Sequence, residues 1–210
     1  SYNTGIGFEV LKDLTTGTFN EAMGKQALQN LTTGDSNIGI GTDALGSATT
    51  SHNLIAIGRG AGYAINNETA DGTIAIGRNA LTALTSGASN TAIGFESQLY
   101  QTNGASNTSV GYKAFRNADN GESDNVVIGK EAGMNINHAS SDGNVIIGAD
   151  AGTGGTAPIS KSIVIGANAM NSTDGNTQTG TVAIGYNSLT ALTSGANNVA
   201  MGYQSGDTIT

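Results

Sequence analysis

The chain reads as an all-β protein, a parallel β-solenoid of about twelve coils of 17–19 residues. Three observations predict this. First, a short apolar stretch ends in glycine at Gly7, Gly24, Gly41, Gly58, Gly77, Gly94, Gly111, Gly129, Gly148, Gly166, Gly185 and Gly202, always 17 to 19 residues apart. Second, the residues just before each of these glycines alternate with a period of two, the mark of a strand whose two faces meet different surroundings. Third, the 210 residues include 32 Gly, 1 Pro and only 11% charged side chains, which suits short strands joined by tight turns. The recurrence covers nearly the whole length, so residues 1–210 are expected to form one repeat domain.

The strand comes first in each repeat. One residue before the glycine stands a large apolar side chain, such as Ile40, Ile57, Ile76, Ile93 or Ile184. Three before it the residue is usually aliphatic, as at Ile38, Ile55, Ile74, Val126 and Val182, with Thr4, Glu21, Thr91 and Thr108 as exceptions. Between them the residue is usually small: Ala22, Gly39, Ala56, Ala75, Ala92, Ser109, Ala183 or Ala200. The glycine itself marks a sharp corner that every coil needs, because glycine alone takes positive φ freely and allows close backbone approach.

A second segment follows the corner. Three residues on, Ala or Ser recurs, as at Ala27, Ala44, Ala80, Ser97 and Ala114; four and seven residues on, leucines pair, as Leu28 with Leu31 and Leu81 with Leu84. The spacing in Ala80–Leu84 is helix-like, but about six residues are too few for a stable helix. A second short strand or a tight arc is expected instead. A turn such as Thr32-Thr33-Gly34 then leads to an Asn that opens the next strand: Asn20, Asn37, Asn90, Asn107, Asn125, Asn144 and Asn198.

Stacked coils rise by about 4.8 Å each, so twelve of them make a rod of roughly 55 Å. The enclosed core is thin. The Ile and Val set is expected to fill it, leaving the Leu or small-residue face exposed as a stripe along the rod. An apolar stripe of that size calls for a partner, and a closed homo-oligomer is the usual one.

The strings Asn90-Thr91-Ala92-Ile93-Gly94, Thr73-Ile74-Ala75-Ile76-Gly77 and Thr181-Val182-Ala183-Ile184-Gly185 resemble the head repeats of trimeric autotransporter adhesins. The longer spacing in Ala27-Leu28-Gln29-Asn30-Leu31-Thr32-Thr33-Gly34 is similar to repeats of phage tail fibres. The resemblance implies a left-handed parallel β-roll in a side-by-side homotrimer. It also implies an extracellular, structural or adhesive role, in a virion tail fibre or alternatively on a bacterial outer surface, with a host-surface glycan or protein as receptor. Both ends fall near a repeat boundary, so a segment of a longer fibre is expected. Stacked Thr residues suggest an ice-binding solenoid as a further alternative.

Composition excludes other classes. The net charge of −8 argues against nucleic acid and anionic lipid as partners, and no apolar run approaches the roughly 20 residues of a membrane helix. Cysteine is absent, so there is no disulfide or thiolate chemistry. Gly39-Ile40-Gly41-Thr42-Asp43-Ala44 matches a dinucleotide-loop pattern, but the repeat already accounts for its glycines. Asp119–Asp124 and Ser141–Asn144 hold ordinary turn formers rather than a calcium loop. His52 and His138 fall in turns of different coils, and the carboxylates are scattered. No cofactor, metal or catalytic role is expected.

Two features could carry recognition. The residues directly after the corner glycines include Arg59, Arg78, Phe95, Tyr112, Lys130, Tyr186 and Tyr203, which stacking would align as a stripe of rings and cations. Such a stripe can grip sugars or cover a seam between subunits. The other feature is four long turns, 66–72, 135–143, 152–161 and 171–180, since loops on a rigid scaffold often bind. They contribute Asn66, Asn67, His138, Asp142 and Asp174 as candidates.

Overall fold

The computed structural model describes residues 2–155, 157–173, 177–192 and 195–207. Twelve three-residue strands stack in chain order into a single sheet: Thr4–Ile6, Glu21–Met23, Ile38–Ile40, Ile55–Ile57, Ile74–Ile76, Thr91–Ile93, Thr108–Val110, Val126–Ile128, Val145–Ile147, Ile163–Ile165, Val182–Ile184 and Val199–Met201. Every neighbouring pair is parallel and in register by coil position, as in Ile38↔Ile55↔Ile74. The chain is therefore a parallel β-solenoid of about eleven turns between its first and last strands.

The corner glycines hold the coils together at their closest point. Gly41 has φ +130°, and its N–H donates to the Met23 carbonyl at 2.7 Å. A Cβ on Gly41 would fall 2.6 Å from the carbonyl oxygen of Gly58, the same corner one coil on. The recurrence thus has two physical causes at once: the backbone conformation and the approach of the next coil.

The core reverses the expected assignment of faces. The small residue in the middle of each strand points inward, and Ala56, Ala75, Ala92 and Ala183 are buried. The flanking aliphatics point outward: Ile40, Ile57, Ile93 and Ile163 all remain more than a third exposed. The interior is filled instead by the leucines after the corner, Leu28, Leu31, Leu45, Leu81, Leu84, Leu189 and Leu192, all fully buried. Sterics explain the reversal. A Cβ on Gly39 would already lie 3.0 Å from Leu28 Cγ, so an inward isoleucine has no room where a leucine occupies the coil. In two coils a larger inward residue stands where that leucine is replaced by glycine; Val164, with Met170 in the leucine's place, is a third larger inward residue. Val127 lies opposite Gly133 and Ile146 opposite Gly152, with about 3.1 to 3.2 Å between the opposing side chain and a built Cβ.

The Ala-Leu segment is a tight arc, neither strand nor helix. It closes by placing two residues per coil in the left-handed region, for example Asn79 (φ 58°) and Leu81 (φ 49°). A leucine in that region costs about 1–2 kcal/mol. Full burial of Leu81 offsets this, and its N–H donates to the Ser97 carbonyl of the next coil at 3.1 Å. The strand-opening asparagines form a buried ladder. Asn125 Nδ2 donates to Asn107 Oδ1 at 3.1 Å, and Asn144 Nδ2 donates to Asn125 Oδ1 at 2.9 Å. Each also reaches a carbonyl one coil on, as Asn125 Nδ2 does at Ser141 O (2.9 Å). Leu54 and Thr73 interrupt the ladder in the lower half of the rod.

Candidate functional site

The outward faces of the twelve strands make one continuous apolar stripe. Ile and Val at matching positions stack in register, so the stripe runs the length of the sheet. Glu21 is its charged member, and Thr91 and Thr108 are neighbours in it. At the first coils the stripe dips into a shallow groove of about 310 Å³ lined by Ile6, Glu21, Met23 and Ile40. The stripe expected from the sequence therefore exists, built from the opposite set of residues.

The position after each corner glycine forms a discontinuous ladder. The guanidinium of Arg78 lies 5.6 Å from the Phe95 ring centre. Phe95 stacks on Tyr112 at 5.4 Å with the planes 11° apart, and Lys113 Nζ lies 5.1 Å from the Tyr112 ring. Tyr186 and Tyr203 stack at 5.4 Å and 16°. Lys130, Ala149 and Ala167 separate the two groups. Lys130 is exposed and held between Glu131 (3.3 Å) and Asp150 (3.7 Å); the contact with Glu131, then Asp150, raises its pKa above the ordinary lysine value. Arg59 is exposed one coil before Arg78. In the Arg78–Phe95–Tyr112 run rings and cations cover one another, whereas Tyr186 and Tyr203 cover each other on one face and Tyr203 stays 72% exposed. Stacking of this kind stabilises neighbouring coils by about 0.5–1.5 kcal/mol per pair.

Two more such contacts escaped the sequence reading. Tyr2 stacks on Phe19 at 5.1 Å, and Arg116 lies 4.8 Å over the Tyr100 ring while its Nε donates to Glu96 at 2.8 Å. The signal for the first was available, since Tyr2 and Phe19 are separated by the repeat length.

The long turns divide into two places. The 66–72 turn contains a single 3₁₀ turn, Glu68–Ala70, whose first N–H groups are capped when Asn67 Oδ1 accepts from Thr69 N at 3.0 Å. Asn66 is exposed, and its carbonyl accepts from the Thr49 hydroxyl of the coil before. The other three turns lie in successive coils and merge. Ile159–Ser160 pairs in parallel with Gln178–Thr179 as a second, two-stranded sheet, and the Ser160 hydroxyl bonds the Ser140 carbonyl. The described parts of these turns thus extend the stack, where loops were expected. Asp174 lies outside the described residues.

His138 and Asp142 act within that patch as turn clasps. His138 Nδ1 accepts from Ser140 N at 3.2 Å, and Asp142 Oδ1 accepts from Ser123 N one coil away at 2.7 Å. Asp142 belongs to a ladder of its own. At the equivalent position Asp35 accepts from Thr18, His52 Nδ1 accepts from Asp35 N at 3.0 Å, and Asp71 accepts from His52 N at 3.0 Å. Among the described residues no three His, Asp or Glu side chains gather as a metal set. Nor, among the described residues, is any helix long and apolar enough to cross a membrane.

The threonine columns are spent in the same way. Thr15, Thr32, Thr85 and Thr102 hydroxyls donate to carbonyls of the next coil, at 2.8 to 3.0 Å. No protein-family profile matches the sequence, and comparison with curated proteins and with solved structures returns no significant match.

Proposed function

We propose that this chain is a structural, adhesive segment of an extracellular fibre, three copies side by side, spacing or presenting a receptor-recognising element at a host surface. The carrying observation is the outward aliphatic stripe. A rod of short coils has no second layer with which to cover twelve strands' worth of Ile and Val, and identical rods can cover one another's stripes around a shared axis. In-register stacking supports a stiff spacer, because successive coils bond one another at the strand, the corner and the arc. The phage tail-fibre setting is favoured by the repeat resemblance, and a bacterial adhesin head is the same architecture in another surface context. Ice binding fares worse, since the stacked threonine hydroxyls already serve the next coil. If the segment itself touches a glycan or protein, the merged turns of 135–143 and 152–161 offer the irregular surface for it.

Light scattering tests the assembly. The expected mass is three chains, falling to one when Ile57→Lys and Ile76→Lys are combined, with the β circular-dichroism signal retained. A stable wild-type monomer at working concentration would refute the reading.

A further inference from the structure

The hydrophobic core is not continuous. One stretch ends at Ala92 and the next begins at Ala114. Between them Ser97, Gln98, Gln101 and Ser109 are fully buried, at positions where the preceding coil carries Ala80, Leu81, Leu84 and Ala92. Gln98 Nε2 donates to Ser109 Oγ at 2.8 Å, and the Ser97 and Ser109 hydroxyls lie 2.5 Å apart. Gln101 Nε2 reaches the Glu122 carbonyl one coil on at 3.3 Å.

Glu122 closes this segment from above. It occupies the inward turn position that glycine holds at Gly87 and Gly104, and Ala118, small where other coils carry Leu31 or Leu84, leaves it room. Its side chain is fully buried. Oε2 accepts from Asn120 N at 3.0 Å, while Oε1 has no hydrogen-bond partner, and Gln98 Oε1 and Gln101 Oε1 are likewise unpartnered. All three orphaned atoms are acceptors. Among the described residues no Lys, Arg or His pairs with Glu122. The titratable groups that bear on it are Asp119 on its own coil and, on the next, His138, whose backbone N–H faces it, and Asp142, which accepts from Ser123 N beside it; the coil below brings the Gln101 amide. A buried carboxylate without a cation is costly, whereas the neutral acid carries no charge and brings one donor to a segment whose three orphaned atoms are all acceptors.

We propose that Glu122 sits in the core as a neutral carboxylic acid and makes residues 94–129 an acid-tightened joint near the middle of the rod, firm when the proton is held and looser when it is lost. Burial, above all, raises the Glu122 pKa, and Asp119 adds to it, against the backbone N–H groups of Glu122, Asn120 and His138 that favour the anion. Because the folded pKa lies above the unfolded one, the folded state binds the proton more tightly. Glu122 therefore costs nothing below the ordinary glutamate value, and its cost grows as pH rises through the interval up to the folded pKa.

Native-state hydrogen exchange on the full, assembled chain tests this. After correction for the intrinsic pH dependence of exchange, peptides from 95–125 should open more readily at neutral than at mildly acid pH, by about tenfold per pKa unit of displacement, while coils 20–60 should not. Glu122→Gln should remove that difference. A pH response spread evenly along the rod, or one unchanged in Glu122→Gln, would overturn the proposal. Should the variant not fold, infrared spectroscopy of the wild-type protein at a pH just above the ordinary glutamate value decides it: a buried protonated-carboxyl C=O band is expected, and its absence refutes the joint.

Discussion

A methyl group on Gly41 would fall 2.6 Å from the carbonyl oxygen of Gly58 and 2.7 Å from its carbonyl carbon. Neither atom can retreat, because each belongs to the backbone of a stacked coil. Gly41→Ala should therefore destabilise the rod by more than the ~1–3 kcal/mol of backbone strain alone. Gly202→Ala, where a Cβ meets nothing nearer than 3.9 Å, should cost only the strain. Thermal unfolding of the two variants, compared with wild type, gives the difference.

Leu81→Ala empties a fully buried position and should cost about 2–5 kcal/mol. Ile57→Ala, on the outward stripe, should change the stability of an isolated chain far less and appear instead as weaker association. Denaturant titration beside sedimentation separates the two effects. Equal loss of stability in both would contradict the inward placement of the leucines.

Asn125 both donates to Asn107 and accepts from Asn144 inside the ladder. Asn125→Ala should cost about 1–3 kcal/mol, because its buried partners are left unpaired. Asn198→Ala should cost less, since Asn198 is only half-buried and, among the described residues, its Nδ2 reaches Gly195 O of its own turn at 3.1 Å. Chemical denaturation of both variants is the measurement.

Asp35 gives the rod an acid-sensitive clasp of opposite sign to Glu122. Its Oδ1 accepts from Thr18 Oγ1 (2.8 Å) and Thr18 N (2.6 Å), and these bonds, in that order, hold its pKa below the ordinary carboxylate value, with His52 adding a smaller pull. The stabilisation is present above the unfolded value of 3.8 and is lost as pH falls through the lower, folded value. Melting temperature against pH should fall less steeply at the acid end in Asp35→Asn than in wild type.

The repeat length, the strand positions, the corner glycines and the alignment of Phe95 with Tyr112 could all be read from spacing, because stacking maps equal sequence intervals onto equal places in space. The arc could be read only as one of two options, since leucine is not a residue that advertises the left-handed region. The joint at Glu122 was hidden for another reason: its burial depends on Ala118 and on the coils above and below, and Asp119-Asn120-Gly121-Glu122 taken alone looks like an ordinary surface turn.

Periodicity alone determines that this chain coils, and where each coil turns its corner. Which face of the strand is inside follows from a competition the pattern does not contain. Isoleucine and leucine are equally apolar, and alternation says only that two faces differ. The choice is made in the cross-section of one coil, where Leu28 and its equivalents fill the interior from the arc side and leave the strand room for Gly39 or Ala56 but not for Ile38 or Ile55.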